Sequence, residues 1–473
     1  MYCRRATALL RLTRGVSQAP RCGFAAAAAR YTGDQSDSFR PGGEVSSLWL
    51  SQPGTANASV IKCEKNLIND AKLRVESDRL FVYNGTSKQN MYTYFYLRDL
   101  CKCPQCVDPH SKQRSFRSSD IPSNVAPRRV EWDNKKLVIQ WQNDIPGYGK
   151  SHTSSFDPDY LERPVTLALH DPKNLRQVRP WHNSRMQRWQ HWVSFEDYMN
   201  DEVKFTAAMR NLQTLGLIFV KDIPESREMV GKIATRMGPL RNTFYGSTWD
   251  VRTVPQAKNV AYTNQHLGFH MDLMYMNEPP GFQLLHCLEN SCEGGESLFS
   301  DTFNVVNWLR MHSTKSDYDL LTQMELAYEY QHEDQIYHHK RPVIQMDATG
   351  EFVQYVNYSP PFQSALPLAK TSKDDQDRLM KILRIFAKQL QKPTNIFQLK
   401  LNPGECAIFN NRRIAHARNH FNTTDGSRWL AGAYVDEDAI LSRYAVCQKK
   451  YPNVWRDATP ATADSAPNDA TED

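Results

Sequence analysis

The chain has 473 residues, 40% of them hydrophobic and 23% charged, which leaves room for two folded domains and a large core. Its formal net charge of +6 equals the six arginines of residues 1–33, so the remainder is neutral and offers no basic cluster with interleaved aromatics for a nucleic acid. No apolar run approaches the roughly 20 residues of a bilayer-spanning helix, so no membrane partner is expected.

Residues 1–33 are rich in Ala, Leu, Ser, Thr and Arg and hold no Asp, Glu or Lys. That composition suits a mitochondrial transit peptide better than a secretory signal, and it predicts a matrix protein. Residues 34–60 are polar and suit a linker. From 61 to 165 short strands are expected at 80–83, 92–97, 129–132 and 136–141, forming a small β domain. Three cysteines crowd together there, Cys101, Cys103 and Cys106. In a reducing compartment this spacing reads as metal binding, and His152 is the candidate fourth ligand of a tetrahedral zinc site. Unconnected free thiols in a loop are the alternative.

Residues 166–195 read as a connector, with Trp181, Trp189 and Trp192 as core anchors. The pattern changes over 196–447. A helix is expected over 195–215, then strands at 217–220, 259–262, 281–287, 351–355, 396–401, 406–409 and 428–434, with a turn at 402–405. A second helix over 372–390 starts at the capping residues Ser372 and Asp375 and carries Leu379, Ile382, Leu383, Phe386 and Leu390 as an apolar stripe. Residues 456–473 are a tail too poor in large apolar groups to fold. The sum is a mainly β architecture with flanking helices, compatible with a jelly roll whose interior houses a cofactor.

His270 and Asp272, two apart, would share one face of a strand. His332 and Asp334 have the same spacing but lie in a charged stretch with no strand pattern. His416 follows a strand and Arg428 opens another 12 residues later, a spacing that would let a short hairpin set both on one side of a barrel. Two imidazoles and one carboxylate suit a non-haem ferrous oxygenase, and an arginine nearby would take the far carboxylate of a keto-diacid. A strand-edge histidine satisfied by a neighbouring carboxylate is the plainer reading of the spacing alone.

The segments 97–106, 243–249, 259–263, 269–272, 279–287, 294–297 and 430–434 occur in an order that resembles the 2-oxoglutarate-dependent γ-butyrobetaine dioxygenases, with the trimethyllysine dioxygenases next. The resemblance runs from about residue 75 to 445. It implies a double-stranded β-helix domain behind an N-terminal zinc-binding domain, and hydroxylation of γ-butyrobetaine to L-carnitine with Fe(II), 2-oxoglutarate and ascorbate. By the same resemblance His270, Asp272 and His416 hold iron, Arg428 and Ser297 serve 2-oxoglutarate, and Cys101, Cys103, Cys106 and His152 hold zinc. Tyr245, Trp249, Tyr262 and Tyr434 would form an aromatic cage, suited to a trimethylammonium group that cannot donate a conventional hydrogen bond.

Asn259 stands where γ-butyrobetaine enzymes place an asparagine on the substrate carboxylate and trimethyllysine enzymes place an aspartate. An amide donates to a carboxylate and an aspartate repels it. Asn357 is carried over as a further substrate contact, in a stretch that departs from the family's paired asparagines, and residues 273–278 also depart. The family implies a homodimer. Trimethyllysine hydroxylation and a non-catalytic betaine-binding scaffold are the two rival functions.

Overall fold

The structure, a computed structural model, describes residues 72–84, 88–133, 136–157, 177–252, 264–366, 371–422 and 426–456. The expected transit peptide and linker, nearly all of the expected tail, and Asn259 and Tyr262 lie outside them. The chain divides into two compact units, 1–162 and 163–473.

In the first unit β1 (Lys72–Val75), β2 (Arg79–Asn84) and β3 (Lys88–Thr93) form one antiparallel sheet, and β4 (Ala126–Asp133), β5 (Lys136–Asn143) and β6 (Thr153–Phe156) another. The expected strand at 92–97 is instead the end of β3 followed by helix α1 (Tyr94–Asp99). The Thr93 hydroxyl accepts from the Tyr96 N–H at 3.2 Å, and this cap starts a helix that the aromatic composition alone hides. Leu80, Tyr94, Leu97, Leu137, Ile139 and Trp141 form the core of this unit.

The second unit opens with α2 (Asn183–Trp189) and β7 (Trp192–Ser194), and Trp181 is fully buried in its core. Residues 195–215 are two helices, α3 (Phe195–Asn200) and α4 (Glu202–Leu215), not one. Asp201 breaks them because its carboxylate accepts the N–H groups of Val203 and Lys204 at 2.8 and 3.0 Å and so caps a new start. Then come β8 (Leu217–Lys221), α5 (Met229–Met237), β9 (Thr248–Val251), β10 (Leu267–His270), β11 (Phe282–Asn290) and β12 (Ser297–Asp301). The chain continues through α6 (Thr302–His312), α7 (Lys315–Gln323), β13 (Glu325–His332), β14 (Gln335–Pro342), β15 (Ile344–Met346), β16 (Val353–Val356) and α8 (Lys373–Leu390). It closes with β17 (Ile396–Leu399), β18 (Cys406–Asn410), β19 (Ile414–Arg418), β20 (Arg428–Val435), α9 (Glu437–Lys450) and α10 (Pro452–Arg456). His332 closes a regular strand, paired with Gln335 across a hairpin, so the charged stretch did conceal a strand.

Two sheets face each other as a jelly roll. One runs β7-β8-β18-β11-β20-β9, the other β10-β19-β12-β17. Phe299 of the smaller sheet meets Phe219 and Phe409 of the larger, with ring centroids 6.4 and 5.4 Å apart. Strand alternation sorts the larger sheet. Leu217, Phe219, Leu285, Ala407, Phe409, Leu430 and Tyr434 point inward. Ile218, Val220, Phe282, Leu284, Ile408, Ala431 and Ala433 point outward, where Phe205, Leu212, Ile233, Ile440 and Tyr444 of the helices cover them. On α8 the Ser372 hydroxyl caps the Asp375 N–H at 3.1 Å, and Leu379, Ile382, Phe386 and Leu390 are buried. Among the described residues no helix is long and apolar enough to cross a membrane.

Candidate active site

His270 is the last residue of β10 and lies in register opposite His416 of β19, their ring centroids 4.2 Å apart. The shared strand face expected for His270 and Asp272 is absent: the strand ends at His270 and Asp272 stands in the following turn. Two features aim its carboxylate back. Leu273 takes a left-handed φ of +59°, which costs a non-glycine residue about 1–2 kcal/mol. Asn411 holds the turn against that strain. Its Oδ1 accepts from the Asp272 N–H at 2.8 Å, and its Nδ2 donates to the carbonyls of Asp272 and Pro280 at 3.0 and 3.1 Å.

Asp272 Oδ1 then stands 3.3 Å from His270 Nε2 and 3.9 Å from His416 Nε2, with one donor atom of each residue within 4.8 Å of the others. His270 Nδ1 lies 2.9 Å from the Gly268 carbonyl. A carbonyl only accepts, so Nδ1 donates to it and Nε2 is the nitrogen turned toward Asp272. Nε2 faces a carboxylate oxygen, an arrangement that calls for a proton or a metal ion between them. Burial pushes His416 down to about 3, so its imidazole is neutral and free to ligate. Burial opposes the charge on Asp272. Contact with His270, the two imidazoles and the Tyr434 hydroxyl outweigh it and hold the carboxyl below the ordinary range. The donor set fits a ferrous ion.

The same cavity is lined by Trp249, Gln283, Ser297, Arg418 and Arg428. Arg428 does not reach it through a hairpin with the His416 strand. Strand β19 belongs to the smaller sheet and β20 to the larger, so the connection crosses from one to the other and both residues face inward. Among the described residues the Arg428 guanidinium has no hydrogen bond or ion pair, and its Nε is buried without a partner. It lies 5.5 Å from the Phe421 ring, and Arg418 lies 5.0 Å from it. Gly295, at a φ of +73°, makes room, since a Cβ there would press on Arg428 Cδ and Nε at 3.2 Å. Burial lowers the pKa of both arginines without bringing either near neutrality. An unpaired buried cation beside a metal-ligand triad is a receptor for an anion.

Of the expected cage, Trp249 and Tyr434 are together, ring centroids 5.1 Å apart, with the Tyr434 hydroxyl donating to Asp272 Oδ2 at 2.7 Å. Trp249 lies flat over Gly432, its partner across the strands, where any Cβ would strike the indole. Tyr245 packs within a neighbouring aromatic group, 4.1 Å from Phe244 and 6.4 Å from Tyr330. Asn357 is displaced from its expected role as a substrate contact. It is fully buried, its Nδ2 donates to the Pro342 carbonyl at 2.8 Å and its Oδ1 accepts from Arg412 at 2.9 Å, so both ends of the amide are engaged by protein. Gln283 went unnoticed in the sequence, although a lone polar residue inside the apolar run 282–285 was a usable signal. Its Oε1 is buried, has no partner among the described residues, and belongs to a residue lining the cavity.

In the first unit His152 Nε2 lies 3.6, 3.3 and 3.3 Å from the sulfurs of Cys101, Cys103 and Cys106. Its Nδ1 donates to Asp144 Oδ2 at 2.5 Å, which turns Nε2 toward the thiols, and Arg98 Nε holds the other carboxylate oxygen at 2.5 Å. A Cys₃His set with a carboxylate orienting the imidazole fits zinc. Asp144 and Arg98 had no sequence signal, because they act behind a ligand.

Comparisons agree with this geometry. The model described as taurine catabolism dioxygenase TauD, TfdA family matches residues 177–434, and that described as gamma-butyrobetaine hydroxylase-like, N-terminal, matches 71–162. The chain is 32% identical to dioxygenase str8 of Strobilurus tenacellus over 75% of its length and 85% of that protein's. It is 27% identical to the gamma-butyrobetaine dioxygenase of Homo sapiens, covering 77% and 93%. It is 25% identical to the mitochondrial trimethyllysine dioxygenase of Rattus norvegicus, covering 74% and 81%.

Proposed function

We propose, for a chain that belongs to the taurine catabolism dioxygenase TauD, TfdA family and is a 2-oxoglutarate-dependent dioxygenase, that it hydroxylates γ-butyrobetaine to L-carnitine. The observation that carries this reading is the convergence of three lone-pair donors and one unpaired buried guanidinium in a single cavity. His270, Asp272 and His416 would hold Fe(II), and Arg428, with the Ser297 hydroxyl in the same cavity, would hold 2-oxoglutarate. Bound ferrous iron and 2-oxoglutarate supply the oxidising power when oxygen enters, and ascorbate would keep the metal reduced.

The chain's own residues do the rest. Arg428 receives the far carboxylate by charge-assisted hydrogen bonds and sets the cosubstrate's orientation. Apolar walls at Leu285, Phe299 and Leu430 keep water from the reacting carbon. Trp249 and Tyr434 offer ring faces to the trimethylammonium group, with Tyr245 and Tyr262 carried from the resemblance, and Asn259 would fix the opposite end of the substrate. Holding both ends decides which carbon lies near the metal.

Zinc at Cys101, Cys103, Cys106 and His152 would be structural. The arginine-rich composition of residues 1–33 supports a mitochondrial matrix address, and the family supports a homodimer. Trimethyllysine hydroxylation is the second reading, favoured by relatives with that name and disfavoured by the amide at Asn259. The test supplies Fe(II), 2-oxoglutarate and ascorbate with either γ-butyrobetaine or trimethyllysine, then identifies the products by mass. Hydroxylated butyrobetaine with matching succinate is expected; turnover of trimethyllysine alone would replace this substrate with the second.

A further inference from the structure

The hydroxyl of Tyr434 points away from solvent and onto the metal-ligand set. The residue is 3% exposed, and its O–H donates to Asp272 Oδ2 at 2.7 Å. The other oxygen, Oδ1, is the one that faces both imidazoles, at 3.3 and 3.9 Å. The two oxygens of one carboxylate therefore have different environments, and a non-ligating residue makes the difference.

Neither partner is free to move out of this arrangement. Tyr434 sits within β20 opposite Gln283, its carbonyl accepts from the Arg241 N–H at 2.9 Å, and the Trp249 ring backs it at 5.1 Å. Asp272 is clamped through its backbone by Asn411 on both the N–H and C=O sides. What remains is rotation about the Cα–Cβ and Cβ–Cγ bonds of the side chain, and the tyrosine hydroxyl opposes it. Unrestrained, the carboxylate would swing Oδ2 toward the metal and occupy a position that a chelating cosubstrate needs.

We propose that Tyr434 is a positioning residue for the metal centre: its hydroxyl restrains Asp272 so that Oδ1 alone is offered to the metal. Its ring, on the reading given above, walls the trimethylammonium receptor, so one side chain serves both halves of the site.

The test uses the full chain with its zinc retained and Mn(II) as probe, a hard ion suited to carboxylate and imidazole rather than thiolates, with the free ion counted by electron paramagnetic resonance. Tyr434→Phe deletes one oxygen and keeps the ring. It is expected to weaken Mn(II) binding by about 10- to 100-fold, the usual cost of losing a partner behind a metal ligand. The thermal midpoint is expected to stay unchanged, which separates a loss of metal affinity from a loss of fold. Tyr434→Leu, which also removes the ring, is expected to weaken both metal and betaine, and it reads the metal effect if the phenylalanine variant does not fold. Mn(II) binding that disappears in His270→Ala yet is unaltered in Tyr434→Phe overturns this inference alone. Mn(II) binding that survives His270→Ala sinks the metal-site reading and this inference with it.

Discussion

A buried guanidinium with no carboxylate beside it is costly unless a ligand supplies one, and among the described residues Arg428 is in that position. Arg428→Lys keeps the charge and loses the planar fork that matches a carboxylate. The KM for 2-oxoglutarate is expected to rise at least about tenfold, near the ~1.5 kcal/mol of one charged hydrogen bond, while Mn(II) binding is unchanged. An unaltered KM would remove Arg428 from the cosubstrate site. Residues of this kind were legible because ligation and anion binding restrict the residue type. Asn411 and the Tyr434 hydroxyl were not, since they act on the backbone or on the spare oxygen of a ligand, and no spacing rule marks such partners. Asn357 failed in the opposite way: its type was right for a substrate contact, but Pro342 and Arg412 already engage its amide.

At the scale of elements, short apolar runs made β8, β11, β18 and β20 of the larger sheet readable, and the capping pair Ser372 and Asp375 made α8 readable. What escaped were junctions decided by one hydrogen bond, Thr93 at the start of α1 and Asp201 between α3 and α4. The crossing from β19 to β20 escaped because a 12-residue spacing does not say which sheet receives the next strand. Pairing of β9 with β20 depends on Gly432, whose missing side chain lets Trp249 lie against the strand. Gly432→Ala is expected to push the indole into the cavity, raising the KM for the betaine and destabilising the fold by about 1–3 kcal/mol, the range of overpacking. Steady-state kinetics and urea unfolding check the two halves, and an unchanged KM would detach Trp249 from the substrate. Around the Cys₃His cluster, Cys103→Ser is expected to lower zinc content and the thermal midpoint, measured by metal analysis and calorimetry. Normal zinc stoichiometry would exclude Cys103 as a ligand.

Protons taken up on unfolding connect local burial to the stability of the whole molecule. His286 on β11 is fully buried on the helix-covered face, neither ring nitrogen has a partner among the described residues, and burial pushes it down to about 4. His191 is pushed down to about 4 in the same way, by burial and then by Arg210. The unfolded chain binds these protons near pH 6.5 and the folded chain does not, so ν_U exceeds ν_N between about 4 and 6.5 and stability rises with pH there. The contribution is complete above about 6.5 and declines as acid is added, with on the order of 3 kcal/mol at stake per histidine over the whole window. Carboxylates such as Asp250 and Asp144, whose pKa values are lowered from 3.8, lose their contribution only further into acid, so the histidine window is separable. His286→Leu keeps an apolar side chain in the apolar site and cannot titrate. Urea midpoints at pH 7 and pH 5 are expected to differ markedly in the parent and less in the variant. Equal differences in both would mean that His286 gains a partner, or water, that keeps it protonated in the fold.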